Sequence, residues 1–365
     1  MSIMRINVGP IHPSTHGVLR LVVDVDGDTI KNVEPHIGFL HRGVEKLMET
    51  RMYMMNPSYT EKLDYIAPMS WDDLYVSAVE DATKVEVKER AKYVRMILLE
   101  FQRIASHLLW LGTFCNDIGQ MFTIFMWAFR ERAQVLKFLE DVTGSRMFYV
   151  NYRLGGMQSD LQPDFAARAL DLTDYLESHI SQYKDVIEAD PIFNERTSMV
   201  AVLPRQEAID MGVSGPVLRA AGVKEDVRKS KPYYFYDRMK FKVPLGYHSD
   251  AYDRYKVRYQ EMFESIKIIR QAIMQMPQSG DIKGMPIKLI GPNASQDAIS
   301  ISRELPRGEG MIYMIPDKQR PYRISLRSPA FINLYALKRI TKGARFADLF
   351  SALGSLDVVM AEIDK

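Results

Sequence analysis

Between residues 89 and 112 the apolar side chains Val94, Ile97, Leu98, Phe101, Ile104, Ala105, Leu108 and Leu111 recur at intervals of three and four. That spacing lines one face of a helix, and Gly112 stops it, so the pattern predicts a buried amphipathic helix over 89–112. Related patterns predict helices over 37–51, 72–85, 122–143 (closed by Gly144), 162–189 and 250–276, which together suggest a bundle. Residues 4–8 and 19–25 instead alternate or run apolar as strands do, while Gly9, Pro10, Pro13 and Gly17 forbid regular pairing between them. Strand patterns punctuated by Gly or Pro return at 200–204, 286–291, 310–315 and 322–326, so a second small sheet is expected late in the chain. The expected fold is α+β: a central helical bundle with a small N-terminal antiparallel β-sheet and additional C-terminal strands. Residues 1–35 are expected to form the sheet and its loop, 36–280 the helical core, and 281–365 a β/α segment that completes the core. Residues 277–292, with Ser279-Gly280, read as the soft linker.

With 365 residues the chain can build one large domain or two. Its net charge of +2, with Lys and Arg scattered among Asp and Glu, lacks the electrostatic footprint of nucleic-acid binding. Cys115 is the single cysteine, so no internal disulfide and no cysteine-ligated metal site is expected, as suits an intracellular protein. The chain enters a strand almost at once and shows no signal peptide. Its most apolar stretch, 108–129, is interrupted by Asn116 and Asp117, short of the ~20 uninterrupted apolar residues of a membrane span. No fixed-period repeat or low-complexity tract is present. The 22 methionines include Met52, Met54, Met55, Met69, Met121, Met126, Met147 and Met157, close in sequence to the candidate segments below. They read as core filler or as the lining of a greasy cavity for a mobile apolar ligand.

Three segments could carry chemistry. The loop Gly9-Pro10-Ile11-His12-Pro13-Ser14-Thr15-His16-Gly17 fixes two imidazoles in a Pro/Gly-constrained turn, where closure alone would need only Asn, Asp or Gly. In Thr60-Glu61-Lys62-Leu63-Asp64-Tyr65-Ile66 a phenol adjoins a carboxylate, a pair able to donate a hydrogen bond to a carbonyl oxygen and pass on a proton; a plain surface loop is the other reading. Asp117, in an apolar stretch, reads as a buried carboxylate paired with a His or as the cap of the next helix. Neither a dinucleotide-binding nor a P-loop motif occurs. His12 and His16 lack the helix and third ligand of a zinc site, so a metal-dependent hydrolase is remote and no metal is expected.

The chain resembles the large catalytic-core subunit of respiratory complex I, the 49 kDa or D subunit, nearly end to end. The resemblance rests on Gly9-Pro10-x-His12-Pro13-Ser14-Thr15-His16-Gly17-Val18-Leu19-Arg20, Pro35-His36-Ile37-Gly38-Phe39-Leu40-His41-Arg42-Gly43, Lys62-Leu63-Asp64-Tyr65, Arg103-Ile104-Ala105-Ser106-His107-Leu108, Phe129-Arg130-Glu131-Arg132, Arg153-Leu154-Gly155-Gly156, Leu218-Arg219-Ala220-x-Gly222 and Gly354-Ser355-Leu356-Asp357. Relatives include the counterpart in the F420H2 dehydrogenase and the large subunit of membrane-bound nickel–iron hydrogenases, which implies a hydrogenase large-subunit-like fold. Hydrogenases carry Cys-x-x-Cys pairs at the positions of Asp64 to Ala67 and Val359 to Glu362; here those thiols are missing, so nickel has no ligands.

The resemblance implies that the chain binds no cofactor alone. With a small iron–sulfur subunit it would form the chamber where quinone or methanophenazine is reduced, by electrons from NADH or reduced F420 that pass through a [4Fe-4S] cluster of that neighbour. Catalytic roles fall on Tyr65 and His16 as donors to the two quinone carbonyls and on Asp117 as the acid paired with His16; His12, His16, Tyr65 and Met69 would contact the quinone. Arg42, His41, Phe148 and Arg153 would lie near the cluster. Mitochondrial relatives carry a His where this chain has Phe148, and losing that imidazole should lower the cluster potential and free it from pH. The implied partners are the iron–sulfur subunit, other peripheral-arm subunits, membrane-arm subunits that couple the reaction to ion translocation, and a lipid quinone. The implied location is peripheral, on the cytoplasmic face of the membrane. A catalytically silent scaffold of a hydrogenase-like complex is the alternative.

Overall fold

The computed structural model describes residues 3–12, 14, 17–120, 122–149, 151–285 and 297–365. Strands β1 (Met4–Val8), β2 (Arg20–Asp26) and β3 (Thr29–His36) form an antiparallel sheet in that order. The register sets Val8 opposite Leu21 and Val23 opposite Val33, so one face of β2 is fully apolar and buried while the other is half wet. Strand β3 was not expected, because Lys31, Asn32 and Pro35 dilute its alternation.

Short helices α1 (Val44–Glu49) and α2 (Pro57–Thr60) lead into the core helices α3 (Pro68–Thr83), α4 (Glu89–Asp117) and α5 (Phe122–Thr143). The periodicity over 89–112 is borne out, and α4 runs five residues past Gly112, whose missing side chain lets the α5 backbone approach: a Cβ there would lie 3.3 Å from Phe125 Cα. The expected helix over 37–51 shrinks to α1. Gly38 and Gly43 take positive φ, and the amides of Gly38 and Leu40 donate to the Asp364 carboxylate instead of closing a helical turn.

Beyond the small hairpin β4 (Tyr152–Arg153) and β5 (Gly156–Met157), the helix expected over 162–189 divides into α6 (Phe165–Ser181) and α7 (Tyr183–Glu188). Then come α8 (Pro191–Thr197), α9 (Arg205–Asp210), α10 (Gly215–Ala220), α11 (Val227–Ser230) and α12 (Ala251–Gln275), whose N-cap is Asp250. Residues 200–204 do not form the expected strand. Met199 and Ala201 are left-handed, and Arg254 holds the Ala201 carbonyl at 2.7 Å. A second antiparallel sheet follows, of β6 (Ile299–Leu305), β7 (Gly308–Pro316) and β8 (Pro321–Arg327), then α13 (Pro329–Tyr335), α14 (Leu337–Ile340), α15 (Asp348–Leu356) and α16 (Met360–Ile363). The strand expected at 286–291 lies outside the described residues.

The apolar interior falls into two clusters. One gathers α3, α4, α5, α12 and the second sheet; the other gathers the N-terminal sheet, residues 201–221 and residues 330–363. No helix among the described residues is long and apolar enough to cross a membrane.

Candidate functional site

Asp64 builds the turn that carries Tyr65. Its Oδ1 accepts from the amides of Ile66 (3.1 Å) and Ala67 (3.2 Å), and Pro68 then opens α3. Asp64 Oδ2 pairs with Nη1 of Arg307, which sits in the turn joining β6 to β7. Such a turn would ordinarily hold its Arg in water. Here Gly308 packs against Gly215 so closely that a Cβ on Gly215 would meet Gly308 Cα at 2.3 Å, and Arg307 is driven inside.

Two carboxylates from the C-terminal segment complete the surroundings of Arg307. Asp357 ends α15 in a left-handed conformation and brings Oδ1 to 3.4 Å from Arg307 Nη2 and Oδ2 to 3.8 Å from Arg258 Nε. Glu362 accepts from Ser328 Oγ (2.6 Å), Ala330 N (3.1 Å) and Trp71 Nε1 (3.3 Å), and its charge is felt by both Asp64 and Arg307. Burial pushes the Asp64 acid up against the pull of Arg307, and burial together with Asp64 pushes Glu362 up to about 7. Tyr65 is half-buried; burial raises its pKa, Arg307 opposes and Asp64 adds, so the phenol is a donor at neutral pH.

The same segment, residues 350–362, touches the other two candidate regions. The His12 ring stacks on Phe350 with centroids 5.2 Å apart, and its Nδ1 accepts from Ser14 N at 3.2 Å. Gly17 lies on Met360, where a Cβ would come within 2.9 Å of Cγ, so this loop position excludes a side chain. Asp117 is the last residue of α4 and is half-buried rather than buried; its Oδ2 is 3.8 Å from where a Cβ would stand on Gly354. Trp110 Nε1 locks that glycine's carbonyl at 2.7 Å. His12 and Asp117 thus both lie against α15, and Tyr65 is linked to the same C-terminal segment through Arg307 and Asp357. His16 lies outside the described residues. Met69 is fully buried in the larger apolar cluster at the start of α3.

Of the residues expected near the neighbour's cluster, Arg42 and Phe148 meet at Lys62, while His41 and Arg153 make separate contacts. Exposed Arg42 donates to the Lys62 carbonyl (3.1 Å), and the Lys62 ammonium stands 4.9 Å above the Phe148 ring. His41 Nδ1 donates to the Asp364 carbonyl at 3.0 Å, which fixes its tautomer. Arg153, on β4, donates to Tyr152 O at 2.9 Å and to Gln158 Oε1. No three or more His, Cys, Asp or Glu side chains among the described residues are grouped to hold a metal ion.

Sequence reasoning did not find Arg307, Arg258, Trp71 or Ser328. Arg307 stands 243 residues from Asp64, and its only local signal is a Gly-flanked turn, which says nothing of burial.

The sequence model of the family described as "Respiratory-chain NADH dehydrogenase, 49 Kd subunit" matches residues 117–293 and 282–365. Among curated proteins the chain is 42% identical to the D subunit of NADH-quinone oxidoreductase from Geotalea uraniireducens, over all of this chain and 99% of that protein. It is 44% identical to the protein of that name from Dehalococcoides mccartyi, over 99% and 98% of the two chains. A third, from Desulforamulus reducens, is 42% identical over 98% and 97%.

Proposed function

The chain belongs to the 49 kDa subunit family of the respiratory-chain NADH dehydrogenases and is a complex I subunit, and from that premise we propose that it forms one wall of a quinone-reduction chamber. The observation that carries this reading is that His12 and Asp117 lie against residues 350–354, while Tyr65 is tied to the same segment through Arg307, which pairs with Asp357. A protonated phenol on one side and an imidazole loop beside a carboxylate on the other would give a quinone headgroup two donors to its two carbonyl oxygens.

In this reading Tyr65 donates to one carbonyl and His16 to the other, with Asp117 setting the charge of the His16 imidazole. His12 contacts the ring, Met69 is held in the apolar core at the start of α3 and not on the chamber wall, and Arg42, His41, Phe148 and Arg153 face the [4Fe-4S] cluster of a small iron–sulfur subunit. The chain itself orients the headgroup and supplies protons; the electrons come through the neighbour. The names of the relatives favour NADH as donor and a quinone as acceptor over reduced F420 and methanophenazine. We extend the reading to peripheral attachment at the cytoplasmic face, held by membrane-arm subunits that couple the reaction to ion movement, on a scaffold like that of a hydrogenase emptied of its metal.

Tyr65→Phe removes one hydroxyl and keeps the ring. In the assembled complex it should lower quinone-dependent turnover about 100-fold, within the usual range for a lost proton donor, with assembly intact. Full turnover in that variant would leave the chain as a scaffold.

A further inference from the structure

The charges around Arg307 do not balance. Asp64, Asp357 and Glu362 bring three negative charges, and Arg307 and Arg258 bring two positive ones, on side chains no more than 6% exposed where they are paired. Among the next charges outward, buried Arg254, one turn from Arg258 on α12, donates to Ser355 Oγ (2.9 Å) and to the Ala201 carbonyl (2.7 Å), and the carboxylates it feels are Asp250 and Asp253. Glu261 takes Arg219 at 2.8 Å and His107 at 2.9 Å, and Asp364 takes the amides of Gly38 and Leu40, both at 2.8 Å. A charge left unpaired this far from water is costly enough that the site binds a proton instead. Unmatched hydrogen-bonding capacity lies in the same place: Arg307 Nε and Nη2, Arg258 Nε and Asp357 Oδ2 are buried without a hydrogen-bond partner.

We propose that Asp64 and Glu362 share one proton at neutral pH, and that this proton replenishes Tyr65 after Tyr65 has given its own to the reduced quinone. The proposal rests on the reading of Tyr65 as a quinone donor. It makes Arg307 and Glu362 positioning residues that act through Tyr65. The balance is direct. The neighbour's iron–sulfur cluster supplies the electrons; the Tyr65 O–H bond breaks as an O–H bond forms on the headgroup, and the shared proton then moves to the phenolate. A solvent proton restores the carboxylates. Asp64 is the chain neighbour of Tyr65, and Arg307 acts on both, so a phenolate at Tyr65 competes with the carboxylates for one guanidinium. The competition favours the transfer.

The groups that face the shared proton come from every side. Glu362 meets Asp64 and Arg307 from two turns, Trp71 from α3 and Ser328 from the N-cap of α13; Asp357 meets Arg258 from α12. Because the Glu362 acid lies at about 7, the proton is both present and exchangeable near neutrality.

The test uses the whole complex, with ferricyanide reduction as a check that each variant is assembled and takes up electrons. Wild-type quinone-dependent kcat should fall as pH rises through about 7, with KM constant. Glu362→Gln leaves two carboxylates against two guanidiniums, so the proton is no longer held: kcat should drop roughly tenfold at pH 6 and stay flat to about pH 8. Ser328→Ala removes a donor that favours ionised Glu362 and should move the falling limb to higher pH. A wild-type profile in Glu362→Gln, or a limb unmoved by Ser328→Ala, overturns the proposal; the second variant decides if the first does not assemble. Tyr65→Phe separates the two readings. If it is impaired while Glu362→Gln is not, the shared proton alone fails; if Tyr65→Phe is fully active, the quinone reading fails with it.

Discussion

At the scale of single residues, Lys62 is the point where the two halves of the site meet. Its carbonyl receives Arg42, its ammonium covers Phe148, and two residues later the chain reaches Asp64 and Tyr65. In the proposed reading, a neutral ring at 148 would give the partner's cluster a constant field, since nothing on that ring titrates. Phe148→His would bring a group with an ordinary pKa near 6.5, pulled lower by the Lys62 ammonium. The cluster potential, followed by redox titration with EPR detection, should be flat from about pH 6 to 8 in the wild type. In the variant it should acquire a slope toward acid pH; a slope already present in the wild type would count against this role for Phe148.

At the scale of elements, α4 is clamped to its neighbours by charge as well as by apolar packing. Glu100 on α4 receives Arg228 from α11 (3.1 Å), Ser265 from α12 (2.6 Å), Tyr236 (2.6 Å) and Arg103 (3.3 Å), all of them buried. Glu100→Ala would strand two guanidiniums away from water and should destabilise the chain by about 3–5 kcal/mol, read as a lowered Tm of the purified complex. None of this is visible in sequence, where nothing marks Glu100 as buried among guanidiniums. What was legible follows the physics of local pattern. The α4, α5 and α12 repeats are long enough for the period to declare them, with α5 matching its expected limits and α4 overrunning its expected stop at Gly112. Residues 37–51 and 200–204 misled because their backbones are set by distant partners, Asp364 and Arg254. In the site, Tyr65, His12 and Asp117 could be singled out by residue type, while the guanidinium that organises Tyr65 could not.

At the scale of the whole molecule, the site lies on the seam between the two apolar clusters: Leu63 and Trp71 belong to one, Leu356, Val358 and Met360 to the other. Charge holds much of that interior together, so stability should follow pH. Burial opposes, but Arg partners overcome it and hold Glu100, Asp226 and Glu261 below their ordinary values, with Asp226 at about 2. Groups depressed in the fold stabilise it above their unfolded pKa of about 4 and lose that contribution as pH falls through their folded values. His107 is likewise depressed by burial, and its contribution is lost as pH falls below about 6.5. The Tm of the complex should therefore decline modestly from about pH 6.5 downward and steeply below about 4; an unchanged Tm at pH 3 would contradict the charge network. The contacts that close the seam join residues far apart in the chain, 243 positions for Asp64 to Arg307, 291 for Trp71 to Glu362 and 326 for Gly38 to Asp364. Such contacts are made only after long stretches of chain have been brought to order, so they form late in folding and are exposed to early local opening. Amide exchange at Ile66 and Ala67, whose hydrogens Asp64 holds, should therefore run ahead of exchange in the middle of α4, and loss of activity under mild denaturant should precede loss of helix.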